Sequence, residues 1–143
     1  MDLEFFRGKR VFVTGHTGFK GTWLCKLLSM AGAEVTGYAL PSPTADGARV
    51  FEMSGVARSI HSVTGDVRDF DGMKRAFDCC APEIVLHLAA QPIVLESYRD
   101  PQGTYAVNVM GTVNILECVR QSASVRSFLN VTTDKVYLNR EWE

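Results

Sequence analysis

The chain has 143 residues, 46% of them hydrophobic and 22% charged, with 15 lysines and arginines against 16 aspartates and glutamates. That length suits one domain, residues 1–143, with a substantial buried core, and the even charge balance removes any electrostatic case for nucleic acid or a membrane surface as partner. The acids in Met1–Lys9 and the lack of a long apolar run argue against a signal peptide and a membrane span, and Cys25, Cys79, Cys80 and Cys118 match neither a C-x-x-C pair nor a zinc spacing, so the expectation is a cytoplasmic chain with reduced, mostly buried thiols and no metal.

The first predicted unit is Arg10-Val11-Phe12-Val13-Thr14-Gly15-His16-Thr17-Gly18-Phe19-Lys20-Gly21. A β-branched and aromatic run stops at a glycine, two more glycines follow at three-residue spacing, and Phe19, Trp23, Leu27, Leu28 and Ala31 then recur at helical period. This is a strand, a tight turn and a helix. Glycines permit positive φ and close backbone approach, and the free N–H groups of a helix start attract an anion, so a pyrophosphate is the expected guest. Gly15, Thr17, Gly18, Phe19, Lys20 and Gly21 are the candidate contacts. Lys20 either adds positive charge there or points to solvent, and His16 and Lys20 are read as variable loop positions. The spacing Gly-x-x-Gly-x-x-Gly resembles the fingerprint of the extended branch of the short-chain dehydrogenase/reductase superfamily.

Gly32 is placed to end the first helix, and Glu34–Leu40 reads as the second strand. Pro41 and Pro43 then break regular structure, and the segment through Gly55 reads as a loop with one helical turn at most. No Asp or Glu occurs from Val35 to Ala45, where a ribose-binding acid is expected; either other groups hold the ribose, or Arg49 meets a 2′-phosphate. Ser59–Thr64 alternates as a third strand, with His61 outward, and Gly65-Asp66 closes it. Asp66 and Val67 sit where the superfamily holds an adenine ring; the plainer alternative is a turn acid before a helix. That helix starts near Asp71, buries Met73, Ala76, Phe77 and Cys80, and stops at Pro82.

Glu83–Ala90 is the most continuous apolar run, as for a central parallel strand covered on both faces, with His87 read as a satisfied core histidine. Its small end, Leu88-Ala89-Ala90-Gln91, leaves room for a ligand against the backbone. A long helix is expected over Thr104–Ser122, with Tyr105, Val109, Thr112, Leu116 and Val119 on one face, and then a fifth strand, Ser127–Thr132. Alternating strands and helices predict an α/β, doubly wound, Rossmann-like parallel sheet of order 3-2-1-4-5, with its crevice between the first and fourth strand ends. Thr132, Thr133, Asp134 and Lys135 close the last strand beside that crevice, where polar groups are costly unless bonded or used. Alternatively, Asp134 caps a turn and pairs with Lys135 or Arg140.

Together, Gly15–Gly21, Leu88–Pro92, Asn108-Val109-Met110-Gly111-Thr112 and Thr133-Asp134-Lys135-Val136-Tyr137 resemble the CDP-glucose 4,6-dehydratases, from about Lys9 to the last residue. The resemblance implies an NAD-dependent lyase, NADP not being excluded, that turns a CDP-glucose substrate into a 4-keto-6-deoxy sugar nucleotide by internal hydride transfer and loss of water. It implies that Thr132 joins the coenzyme contacts, Thr133 holds the C4 oxygen, Asp134 protonates the departing C6 hydroxyl and Lys135 lies beside C5, where dTDP-glucose enzymes carry glutamate. Asn108 would steady the helix behind the site. Relatives also use a Tyr-x-x-x-Lys pair beyond the fifth strand, and Tyr98, Tyr105 and Tyr137 lack that lysine. The expectation is therefore an amino-terminal portion, truncated after the fifth strand, inactive alone, with an apolar edge prone to self-association and a homo-oligomeric full-length form.

Overall fold

Val11, Phe12 and Val13 have no exposed surface, because their strand lies between two others and under helices on both faces. The computed structural model describes residues 3–42, 44–133 and 138. Five strands, β1 (Arg10–Thr14), β2 (Glu34–Ala39), β3 (His61–Thr64), β4 (Ile84–His87) and β5 (Ser127–Asn130), form one all-parallel sheet of order β3-β2-β1-β4-β5. The expected topology and the reversal of order beside β1 are both present. Val11 registers with Val35 on one side and Ile84 on the other.

The helices are α1 (Phe19–Met30), α2 (Ala45–Ser54), α3 (Phe70–Cys80), α4 (Val94–Arg99), α5 (Pro101–Tyr105) and α6 (Gly111–Arg120), with a π-helical turn, Ala106–Met110, joining the last two. Period-2 alternation splits the core between the faces of the sheet. Val11 and Val13 pack with Cys25 and Leu28 of α1, whereas Phe12 packs with Met73 and Phe77 of α3 and Ile115 and Cys118 of α6. Burying a side chain such as Phe77 contributes about 1.5–3 kcal/mol. α1 ends as its sequence indicates: Gly32 adopts φ +81, with Gly32 N–H donating to Ser29 O and Ala33 N–H to Leu28 O.

Three expectations need correction. The segment before Gly55 is a ten-residue helix, α2, capped by the Thr44 hydroxyl accepting from Gly47 N–H and ended by Gly55 at φ +65; these signals outweigh the prolines that precede them. The long helix starts at Pro101, not Thr104, and its buried face is Gly111, Ile115 and Cys118, while Tyr105, Val109 and Leu116 are exposed. The π-helical turn carries an extra residue, which shifts the phase of everything after it. Finally, β5 stops at Asn130, and Thr132 and Thr133 are exposed rather than at the end of a buried strand, because β5 is the sheet edge among the described residues. Cys25 and Cys118 are buried as expected, but Cys79 is exposed.

Candidate functional site

β1 delivers the chain to Gly15, which turns at φ +76 and lies so close to the β4 end that a Cβ there would sit 2.8 Å from Ala89 N. A Cβ on Gly21 would fall 2.1 Å from Gly15 O, so the first turn of α1 presses directly on the loop. Only glycine satisfies both contacts. α1 has Gly18 at its N-cap, with no side-chain cap and no acid in its first turn, in contrast to α2, α3 and α5, capped by Thr44, Asp69 and Asp100. Its leading N–H groups and the positive end of its dipole therefore remain available to an anion. Phe19 is 68% exposed and Lys20 is also exposed.

Side chains hold this loop in place. The Thr17 hydroxyl donates to Leu40 O at 2.7 Å, tying it to the end of β2, and the Thr22 hydroxyl donates to His16 O at 3.2 Å. His16, read from sequence as a variable loop position, is wholly buried. Its ring crosses β2 over Gly37, where a Cβ would lie 2.4 Å from His16 Cγ, meets Phe51 edge-on and places Nε2 2.7 Å from Ser62 Oγ on β3. Nδ1 is left towards the Tyr38 carbonyl without a well-formed bond, and burial lowers the pKa to about 4, the carbonyl offsetting part of the effect. His16 is neutral at pH 7 and anchors the loop from below.

Across the crevice, the Leu88 and Ala89 N–H groups donate to Thr14 Oγ1 at 3.2 and 3.1 Å. With both acceptor positions of that hydroxyl taken, its proton goes to His87 Nδ1 at 2.6 Å, which assigns the ring hydrogen to Nε2 facing Thr112 Oγ1 at 3.2 Å; Thr112 in turn donates to Asn108 O at 2.8 Å. His87 is thus the satisfied core histidine that the sequence suggests, held neutral by burial with its pKa lowered to about 4. Asn108 does more than steady a helix. Its side chain accepts from Gln91 N–H at 2.7 Å and donates to Gln91 O at 3.0 Å, clamping the strand-end loop, while the Gln91 side chain binds Thr104 Oγ1 and Ile93 N–H. Gly15–Gly21 and Leu88–Gln91 therefore face each other as expected, fixed by side chains of β1, β4 and the π-helical turn.

At the end of β3, both Asp66 carboxylate oxygens are held by Arg68, and the guanidinium lowers the Asp66 pKa. Val67 is buried beneath Gly111, and the N-cap of α3 is Asp69, so Asp66 is not the helix cap. Thr132 and Thr133 lie past β5, next to β4, and Asp134 and Lys135 lie outside the described residues. Sequence reasoning missed His16; the signal was Gly37, a glycine inside a strand, which marks close approach by another group.

Residues 12–141 match the family described as GDP-mannose 4,6 dehydratase. The chain belongs to the GDP-mannose 4,6-dehydratase family. It is 49% identical to a CDP-glucose 4,6-dehydratase from Salmonella typhimurium, over 99% of this chain and 39% of that protein. Its fold is similar to that of epimerase Mth375 from Methanothermobacter thermautotrophicus, with a TM-score of 0.81 and 28% identity over 99% of this chain and 40% of that one. It is also similar to a UDP-glucose-4-epimerase from Stenotrophomonas maltophila with bound NAD and formylated UDP-arabinopyranose, with a TM-score of 0.76 and 28% identity over 94% of this chain and 40% of that one. The chain thus spans about two fifths of the length of these relatives. No helix among the described residues is long and apolar enough to cross a membrane.

Proposed function

We propose that the chain forms the dinucleotide-binding part of a nucleotide-sugar 4,6-dehydratase that acts on CDP-glucose with NAD. The observation that carries this reading is the uncapped start of α1 behind a turn in which Gly15 and Gly21 leave no room for side chains. That cradle fits a diphosphate held by backbone N–H groups. Asp66 offers an acceptor, and the adjacent Val67 N–H has no partner among the described residues, which suits the edge of an adenine ring. NAD would supply reversible hydride acceptance, taken from C4 of the sugar and returned at C6. The Leu88–Gln91 backbone and Thr132 would flank the coenzyme. By resemblance, Thr133 orients the C4 oxygen, Asp134 gives its proton to the departing C6 hydroxyl, and Lys135, neutral in this role, takes the proton from C5.

The β2 end carries no carboxylate to reject a 2′-phosphate, so NADP is the natural second ligand to test. Four free cysteines fit a cytoplasmic setting. A homo-oligomeric full-length form is part of the same reading, supported by exposed Tyr105, Val109 and Leu116 along a stretch, Pro101–Leu116, with no charged residue. Epimerase chemistry is the second reading, favoured by the folds of the two solved neighbours. The 49% identity and the Thr133-Asp134-Lys135 sequence favour dehydration. The test is to supply CDP-glucose and NAD to this chain in a protein that also contains a Tyr-x-x-x-Lys pair. A 4-keto-6-deoxy product without net NADH is expected; an epimer formed without loss of water would overturn the dehydratase assignment.

A further inference from the structure

At the amino ends of the strands, opposite the Gly15–Gly21 crevice, a cleft of about 720 Å³ opens between Arg10 of β1, Glu34 of β2, His61 of β3, Arg58 just before it, and Cys79 and Cys80 in the last turn of α3. That volume suits a ligand the size of a short peptide. Arg58, His61 and Glu34 are exposed, and none of their side chains has a hydrogen bond or ion pair among the described residues. Arg10 is held in place, its Nε donating to Ala81 O at 2.8 Å and its Nη1 lying 3.6 Å from Glu83 Oε2. The cleft therefore offers two free donor groups and one free carboxylate beside a thiol.

The four thiols differ in availability. Burial pushes the Cys25 thiol up to about 12 and the Cys118 thiol up to about 11. Cys80 is half-buried, and burial raises its pKa as well, a hydrogen bond from the Thr36 hydroxyl and the Arg10 guanidinium offsetting part of the effect. Cys79 alone is exposed, and the carboxylate next to it, Asp78, is paired with Lys74. We propose that Cys79 is a site of reversible mixed-disulfide formation with an anionic low-molecular-mass thiol of the glutathione class, whose carboxylates meet Arg58 and His61 and whose ammonium meets Glu34. The Cys79 thiolate attacks one sulfur of the disulfide form of that thiol. A bond forms between the two sulfurs, the original S–S bond breaks, and the other half leaves as a thiolate with the electron pair, taking up the proton that Cys79 has released. Cys79 is thereby oxidised and the departing sulfur reduced. Cys80, its thiol kept protonated, is a poor attacker of the adjoining mixed disulfide, so the adduct persists until an external thiol removes it.

The experiment is to incubate the chain, wild type and the Cys79→Ser, Arg58→Glu and His61→Ala variants, with glutathione disulfide and separately with the uncharged bis(2-hydroxyethyl) disulfide, following adducts over time by peptide mass mapping. Wild type is expected to gain a glutathionyl group on Cys79, and Cys79→Ser to gain none. Arg58→Glu should slow the reaction with glutathione disulfide at least about fivefold at low salt while changing the rate with the uncharged disulfide less than about twofold, and His61→Ala should act in the same direction more weakly. Adducts on Cys80 or on a buried cysteine in place of Cys79, or no adduct at all, would overturn the assignment. Equal effects of Arg58→Glu on both disulfides would reduce Cys79 to an exposed thiol without a recognition cleft and overturn the inference. Arg58 and His61 are exposed, and circular dichroism would establish that each variant is folded.

Discussion

Two buried histidines set the behaviour of individual residues here. His16 and His87 both lie below the site, and burial lowers each pKa from the usual 6.5 to about 4. The unfolded chain takes up protons at these positions as pH falls through 6.5, and the folded chain does not until about 4, so folding stability declines across that window. A full shift of this size is worth about 3 kcal/mol per histidine. Urea midpoints measured from pH 7 down to pH 5 should fall steadily, and a flat profile there would contradict the buried, neutral assignment. His87 was legible in the sequence because it lies within an apolar strand that must satisfy its polar groups. His16 was not, since its burial depends on Gly37 and on Ser62, its partner on the adjacent strand, a three-way contact that forms only once β2 and β3 are in register.

Among the elements, the π-helical turn matters most to the site. Ala106–Met110 presents Asn108 to the Gln91 backbone and its carbonyl to Thr112, so the end of β4 is held by a helix that never enters the sheet. Asn108→Ala removes both bonds to Gln91, and amide exchange at Gln91 is expected to accelerate by about tenfold, with global stability lowered by about 1–3 kcal/mol. Unchanged protection at Gln91 in hydrogen-exchange mass spectrometry or NMR would show that the clamp is dispensable. The strands and α1 were readable because glycine and β-branched residues punctuate them. The face of α6 was misread because an apolar stripe projected through Tyr105 and Val109 assumes an unbroken period of 3.6, and the π-helical turn breaks it. α2 was missed because its prolines precede the Thr44 cap rather than interrupt the helix.

For the molecule as a whole, strand order follows from alternation and crossover handedness, and it brings the loop after β1 against the end of β4 without help from any single residue. The glycine cradle and the Leu88–Gln91 wall were therefore legible before the structure, whereas the fork of Arg68 on Asp66 was not, because two-residue side-chain pairing inside a turn has no periodic signature. Three separate chain segments, 16–21, 66–68 and 88–91, follow the carboxyl ends of β1, β3 and β4 in one parallel sheet, and the central claim is that a single dinucleotide contacts all three. Titrating the uniformly ¹⁵N-labelled chain with NAD and following amide resonances tests this directly. Saturable shifts concentrated in residues 16–21, 66–68 and 88–91, with one common dissociation constant, are predicted; shifts elsewhere, or none at saturating NAD, would contradict the account.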